Sequence, residues 1–176
     1  MSTDWPVLVA AGPLAEQTMR QACAQLAQGC GFAVSSHPVG ADPRTVLMDG
    51  SATEVLLRLC GDAARLHPCG GSWLEALADW RRPVLLLVPG DPDGGVPGTA
   101  AAYTALCRQL GVRLLGLVQL QGTWDQKSRR RDGLPWCGWL PAPDSEEHSD
   151  ATEALCRHLK STALRAAARS VPQDQA

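Results

Sequence analysis

Val7-Leu-Val-Ala-Ala-Gly-Pro-Leu-Ala-Glu-Gln-Thr-Met19 decides how the rest of the chain is read. The run from Pro6 to Ala11 is apolar throughout, as a strand covered on both faces is. From about Leu14 to Gln28, Ala15, Met19, Ala22, Cys23, Leu26 and Ala27 keep helical spacing, and Gly29 and Gly31 end the run. The turn between strand and helix is where a phosphate-binding loop would sit. That loop needs glycines so that backbone N–H groups wrap a phosphate, a lysine for the β/γ-phosphates, and a Ser or Thr for magnesium. The frame Ala10 to Thr18 keeps Gly12 and Thr18. It has Ala10 for the opening glycine, Glu16 before the lysine position and Gln17 in it.

Working outward, Phe32 to Ser35 reads as a second strand and Thr45 to Met48 as a third, ending in Asp49-Gly50-Ser51. Glu54 to about His67 reads as helical, Pro68 to Ser72 as a breaker cluster, and Trp73 to Trp80 as a short helix. Pro83-Val-Leu-Leu-Leu-Val88 is the clearest buried strand. Gly90 to Gly98 is a turn-rich loop, and Thr99 to Leu110 a helix stopped by Gly111. Leu114 to Leu120 is a strand, Lys127 to Asp132 a polar loop, Trp136 to Leu140 a last strand, and Ala151 to Ser170 a last helix. Strands alternating with helices predict an α/β fold: one mostly parallel sheet with helices on both faces, in a single domain over 1–170 with a frayed tail at 171–176. Ligands in such a sheet bind outside the C-terminal strand ends.

At those loops the sequence resembles dethiobiotin synthetase, a P-loop NTPase related to the cobyric acid synthases and the plasmid-partition ATPases. The strand at Pro83–Val88, the helix at Thr99–Leu106, the strand Gly111-Val-Arg-Leu-Leu-Gly-Leu-Val118 and the segment Gly133-Leu-Pro-Trp-Cys-Gly-Trp-Leu-Pro141 follow that family's order. Ala10 to Thr18 then aligns on its phosphate loop, and Ser36-His-Pro-Val39 on a Lys-Pro-Val segment. Thr45 to Ser51 aligns on a strand ending in an acidic segment, and Gln121 near an adenine-reading asparagine. The resemblance implies a nucleotide pocket around Gly12, Gln17, Thr18, His37, Asp49 and Gln121, with Thr18 and Asp49 on the metal if nucleotide binds.

The departures fall on the chemistry. Both family lysines are missing, replaced by Gln17 and His37. A neutral amide cannot stabilise developing phosphoryl charge, and a histidine with pKa near 6.5 is mostly neutral at pH 7. The segment between Val39 and Thr45 is also too short for the family's helical insert. The leading expectation is a degenerate relative that has lost ATP-dependent carboxylation and binds a protein partner or small ligand, with no cofactor. One alternative is an active, divergent enzyme closing the ring of diaminopelargonate with ATP, magnesium and CO2 in biotin synthesis. Another is an unrelated flavodoxin-like or Rossmann-like binding domain.

Outside that frame, Lys127-Ser-Arg-Arg-Arg131 is the one basic cluster, flanked by Trp124 and Trp136. A solvated loop is the ordinary reading. A partner interface through Arg129, Arg130, Arg131, Trp124 and Trp136 is the sharper one. The seven cysteines include no Cys-x-x-Cys pair. They read as small hydrophobes, with a metal site from Cys60, His67 and Cys69 as the alternative. The 176 residues suffice for one core, and a net charge of −2 makes no case for nucleic acid. The apolar runs are too short for a bilayer, and acidic Asp4 stands where a leader would be basic. The chain is therefore expected in the cytoplasm, with no membrane or nucleic-acid partner and with a homodimer allowed.

Overall fold

The computed structural model describes residues 5–49 and 55–169. Six parallel strands form one sheet in the order β2-β3-β1-β4-β5-β6. The chain runs β1 (Val7–Ala10), α1 (Glu16–Cys30), β2 (Ala33–His37), α2 (Pro43–Asp49), β3 (Val55–Asp62), α3 (Trp73–Asp79) and β4 (Val84–Pro89). It continues through α4 (Thr99–Leu110), β5 (Leu114–Leu120), α5 (Gln126–Arg131), β6 (Trp136–Leu140) and α6 (His148–Arg169). The expected α/β layering is therefore present, with β1 in the interior of the sheet.

Each strand's alternating side chains feed two cores. On one face Leu8, Leu56 and Leu85 pack under α1 and α6 through Met19, Leu26, Leu155 and Leu159. On the other, Val9, Leu57, Leu59 and Leu86 pack under α2, α3 and α4 through Leu47, Trp73, Leu77 and Cys107. Gly138 lets α6 lie close on β6, since a Cβ there would stand 3.3 Å from Leu155.

Three segments depart from the sequence reading. Thr45–Met48 is not a strand: it lies in α2, which Asp42 caps. The Thr45 amide and hydroxyl donate to the Asp42 carboxylate at 3.3 and 2.7 Å, and Pro43 supplies a preset φ at the first helical position. That cap outweighs the β-propensity of Thr-Val-Leu. The third strand is instead β3, inside the stretch read as a helix from Glu54. An apolar run buried on both faces cannot be told from a helix by periodicity, and β3 lies between β2 and β1, covered on both sides. The segment after Val39 accordingly carries a helix rather than a five-residue link. Residues 127–132 are not a loop either: Gln126–Arg131 is α5, whose first turn is held by Asp125 accepting from the Lys127 amide and the Ser128 hydroxyl.

No helix among the described residues is long and apolar enough to cross a membrane.

Candidate functional site

The loop between β1 and α1 opens at the C-terminal edge of the sheet, flanked by β3 and β4. Its backbone is already engaged. The Ala11 N–H donates to the Leu87 carbonyl at 3.0 Å, and the Ala10 carbonyl accepts from the Ala63 N–H at 3.2 Å. Gly12 takes a left-handed φ of 97° and packs on α4, where an added Cβ would stand 3.1 Å from Thr99 Cγ2. Pro13 has no N–H to offer. α1 then starts at Ala15 with no side-chain cap, and its first turn carries Glu16.

Glu16 does not face the loop alone. Its carboxylate accepts from Arg58 Nη1 at 2.8 Å and from Arg20 Nη2 at 3.4 Å. Arg58 is buried in the middle of β3, and its Nε donates to Ser36 Oγ at 3.0 Å. Burial pushes the Glu16 carboxyl up, but the two guanidinium groups outweigh it and hold the pKa below the ordinary 4.5. A buried cation thus lies near the head of α1, and it is consumed by an internal partner.

The acid at a strand end is Asp62, which closes β3 opposite Ala10 of β1. Its carboxylate accepts from the Ala64 N–H at 2.9 Å and from the Tyr103 hydroxyl of α4. Burial, and then this bond to Asp62, push the Tyr103 phenol well above its usual range. Sequence reasoning missed Asp62 and Arg58 because both lie in the segment taken for a helix. The available signal was a single arginine, Arg58, inside Val55–Cys60 and an acid four residues after it, as in a strand that ends in a turn.

Farther along the edge, the loop after β4 is fastened from below. Gln119, fully buried on β5, accepts from Arg129 Nε at 3.0 Å and donates to the carbonyls of Gln121 and Thr123 at 3.0 and 3.1 Å. Arg129 Nη2 also donates to the Gly94 carbonyl. Its guanidinium lies 5.2 Å from the Trp136 ring and 6.0 Å from the Trp124 ring. Arg129, expected with Arg130 and Arg131 on an interface, therefore points inward, because the Asp132 carboxylate at 3.6 Å, Gln119 and two indoles receive its charge. Arg130 and Arg131 remain exposed, and Trp124 and Trp136 are half-buried against each other.

The expected pocket residues divide into two groups. Gly12, Gln17 and Thr18 share the β1–α1 turn, and Thr18 lines a shallow crease with Gln121 at the end of β5. His37 bonds to Ser35 at 3.2 Å on the edge strand. It alternates with Ser36, which faces the α1 side through Arg58, so His37 faces the opposite way. Asp49 ends a helix that returns toward the start of β3, away from this edge. It does not end a strand, so it is not placed as the family's acid would be. No group of three or more His, Cys, Asp or Glu side chains placed to hold a metal occurs among the described residues, the Cys60, His67 and Cys69 set included.

No protein-family model and no curated protein matches this sequence. Among solved structures it is similar to the cell division ATPase MinD of Pyrococcus furiosus, with 10% identity and a TM-score of 0.60 over 92% of this chain and 99% of that one. The chain has a P-loop NTPase-like fold. A de novo designed protein of the P-loop NTPase fold also matches, at 8% identity and a TM-score of 0.30, too loose to carry an argument. At 10% identity the likeness to MinD is one of fold.

In a P-loop NTPase-like fold, ATP and magnesium would be held at this loop. A triphosphate needs N–H groups free to converge and a cation to neutralise it. This loop commits Ala11 to β4, replaces an N–H with Pro13 and lodges Gly12 on Thr99. It also places a carboxylate at the helix start and no lysine beside it.

Proposed function

We propose that this chain is a P-loop-fold protein that has left ATP-dependent carboxylation behind and works by binding a protein partner or a small ligand. The observation that carries the reading is the Glu16–Arg58 pair, 2.8 Å long, at the head of α1. In a working loop that region supplies positive charge to phosphate. Here the buried cation is neutralised internally and the exposed group is an acid. The Gly133–Pro141 segment and the order of elements before it support descent from a dethiobiotin-synthetase-like ancestor. The ancestral cofactors are then dispensable, and the retained sheet is a scaffold for recognition.

Titration calorimetry with ATP–Mg on the purified chain tests this. The expected result is no saturable heat at millimolar nucleotide. Micromolar binding that disappears in Asp62→Ala would restore the active-enzyme reading.

A further inference from the structure

On the sheet face opposite α1, a trough of about 710 Å³ runs between α2 and α3. That size falls within the roughly 300–1,000 Å³ of ligand sites. α3 contributes Ser72, Glu75, Ala76 and Asp79, which recur every three to four residues and so form one stripe along the wall. Asp42 and Arg44, at the start of α2, and Trp80, just past α3, line it as well. Three carboxylates therefore face one guanidinium. The Thr45 hydroxyl, bonded to Asp42 at 2.7 Å, holds that carboxyl below its ordinary range. Glu75 caps its own helix through the Ser72 N–H at 2.7 Å and hydroxyl at 2.9 Å. Asp79 takes no hydrogen bond or ion pair from any described residue. Trp80 is 42% exposed, the one exposed tryptophan among the described residues, and its ring has no aromatic or cationic neighbour there.

An indole face left bare beside an unpaired carboxylate suits a cation that is planar and carries several donors. The trough's lining is mixed, three carboxylates with an indole and one guanidinium, which suits a basic peptide segment. Glu75 and Asp79 are one helical turn apart, about 6 Å. Side chains two residues apart on an extended peptide share a face at about 6.7 Å. We infer that the α2–α3 trough receives an extended Arg-x-Arg segment of a partner protein, one guanidinium stacking on Trp80 and pairing with Asp79, the other reaching Glu75 and Asp42. This surface goes beyond the loss of ATP chemistry and does not depend on it, since the β1–α1 loop lies elsewhere.

A fluorescein-labelled pentapeptide with an Arg-Gly-Arg core, followed by fluorescence anisotropy against the full chain, tests the inference. Binding is expected to saturate and to weaken by about tenfold or more in Asp79→Asn, from the loss of one charge-assisted bond, and by about two- to fivefold in Trp80→Ala, from the loss of one exposed cation–π contact. Glu153→Gln, on the exposed face of α6, leaves it unchanged. Amide shift mapping on the unmutated protein gives a readout independent of how the variants fold, with changes confined to α2, α3 and the residues joining them to the sheet. Shifts centred on Asp91 and Asp93, or affinity untouched by both trough variants, would overturn the inference. So would competition by N-acetyl-arginine amide at the peptide's own affinity, which assigns the trough to a small ligand. Sedimentation showing a wild-type dimer that Asp79→Asn dissociates would assign it to a second copy.

Discussion

Glu16 and Arg58 bring a buried cation and a half-exposed acid together at the head of α1. Arg58 is almost fully buried while Glu16 is half exposed, so the pair gains less than a buried one and loses more if broken on the acid side. Glu16→Gln leaves a buried guanidinium with a neutral partner. The expected cost is about 1.5 kcal/mol, the low end for a hydrogen bond to a charged group because solvent screens Glu16, measured as a shift in the urea midpoint. The pH dependence has a definite sign. The folded pKa of Glu16 lies below its unfolded value near 4.5, so its contribution is complete above that value and is lost as pH falls through the folded pKa. Acid titration of the wild type and Glu16→Gln should give stability curves that converge below pH 4.5. A second residue carries backbone strain: Arg81, just past α3, has φ 49°. Its amide bonds to Ala78 and that of Arg82 to Leu77, a helix stop usually made by glycine. Arg81→Gly should raise stability by about 1 kcal/mol, read by thermal unfolding.

Short elements here are decided by their caps. α2 and α5 have only seven and six residues, too few to persist alone. Asp42→Ala removes the acceptor of the Thr45 amide and hydroxyl and should cost about 1 kcal/mol, seen as faster amide exchange confined to α2. The Asp42-Pro43 pair and Asp125 carry helix-start chemistry that the strand reading of Thr45–Met48 and the loop reading of Lys127–Asp132 passed over. Thr45–Met48 misled because β-branched and long apolar residues suit either state and the segment is short. β3 misled for the converse reason: Val55, Leu56, Leu59 and Cys60 match a helical stripe by coincidence, and only the neighbouring strands on both sides make the segment extended. Arg129 belongs to this scale as well, because it joins α5, β5 and the loop after β4. Arg129→Lys cannot keep the fork that bonds Gln119 and Gly94 together. It should cost about 3 kcal/mol, as for a buried polar group stripped of a partner, with exchange rising first at Gly94.

For the whole molecule, the question is whether restoring a motif restores a site. Glu16→Gly with Gln17→Lys rebuilds the charge of the phosphate loop, yet Ala11 stays bonded to Leu87, Gly12 stays lodged on Thr99, and Arg58 loses its acid. The double variant is expected to be less stable than the wild type and to show no micromolar ATP–Mg binding by calorimetry. The alternation of apolar strands with helices, the burial of Pro83–Val88 and the lack of a lysine between β1 and α1 were all present in the residue order, because local periodicity and side-chain chemistry suffice for them. Asp62 beside Tyr103, Arg58 under Glu16, Arg129 turned inward and the trough facing Trp80 were decided only by the tertiary structure. Each depends on residues far apart in the chain meeting across the sheet, and no local pattern records which strand will lie next to which.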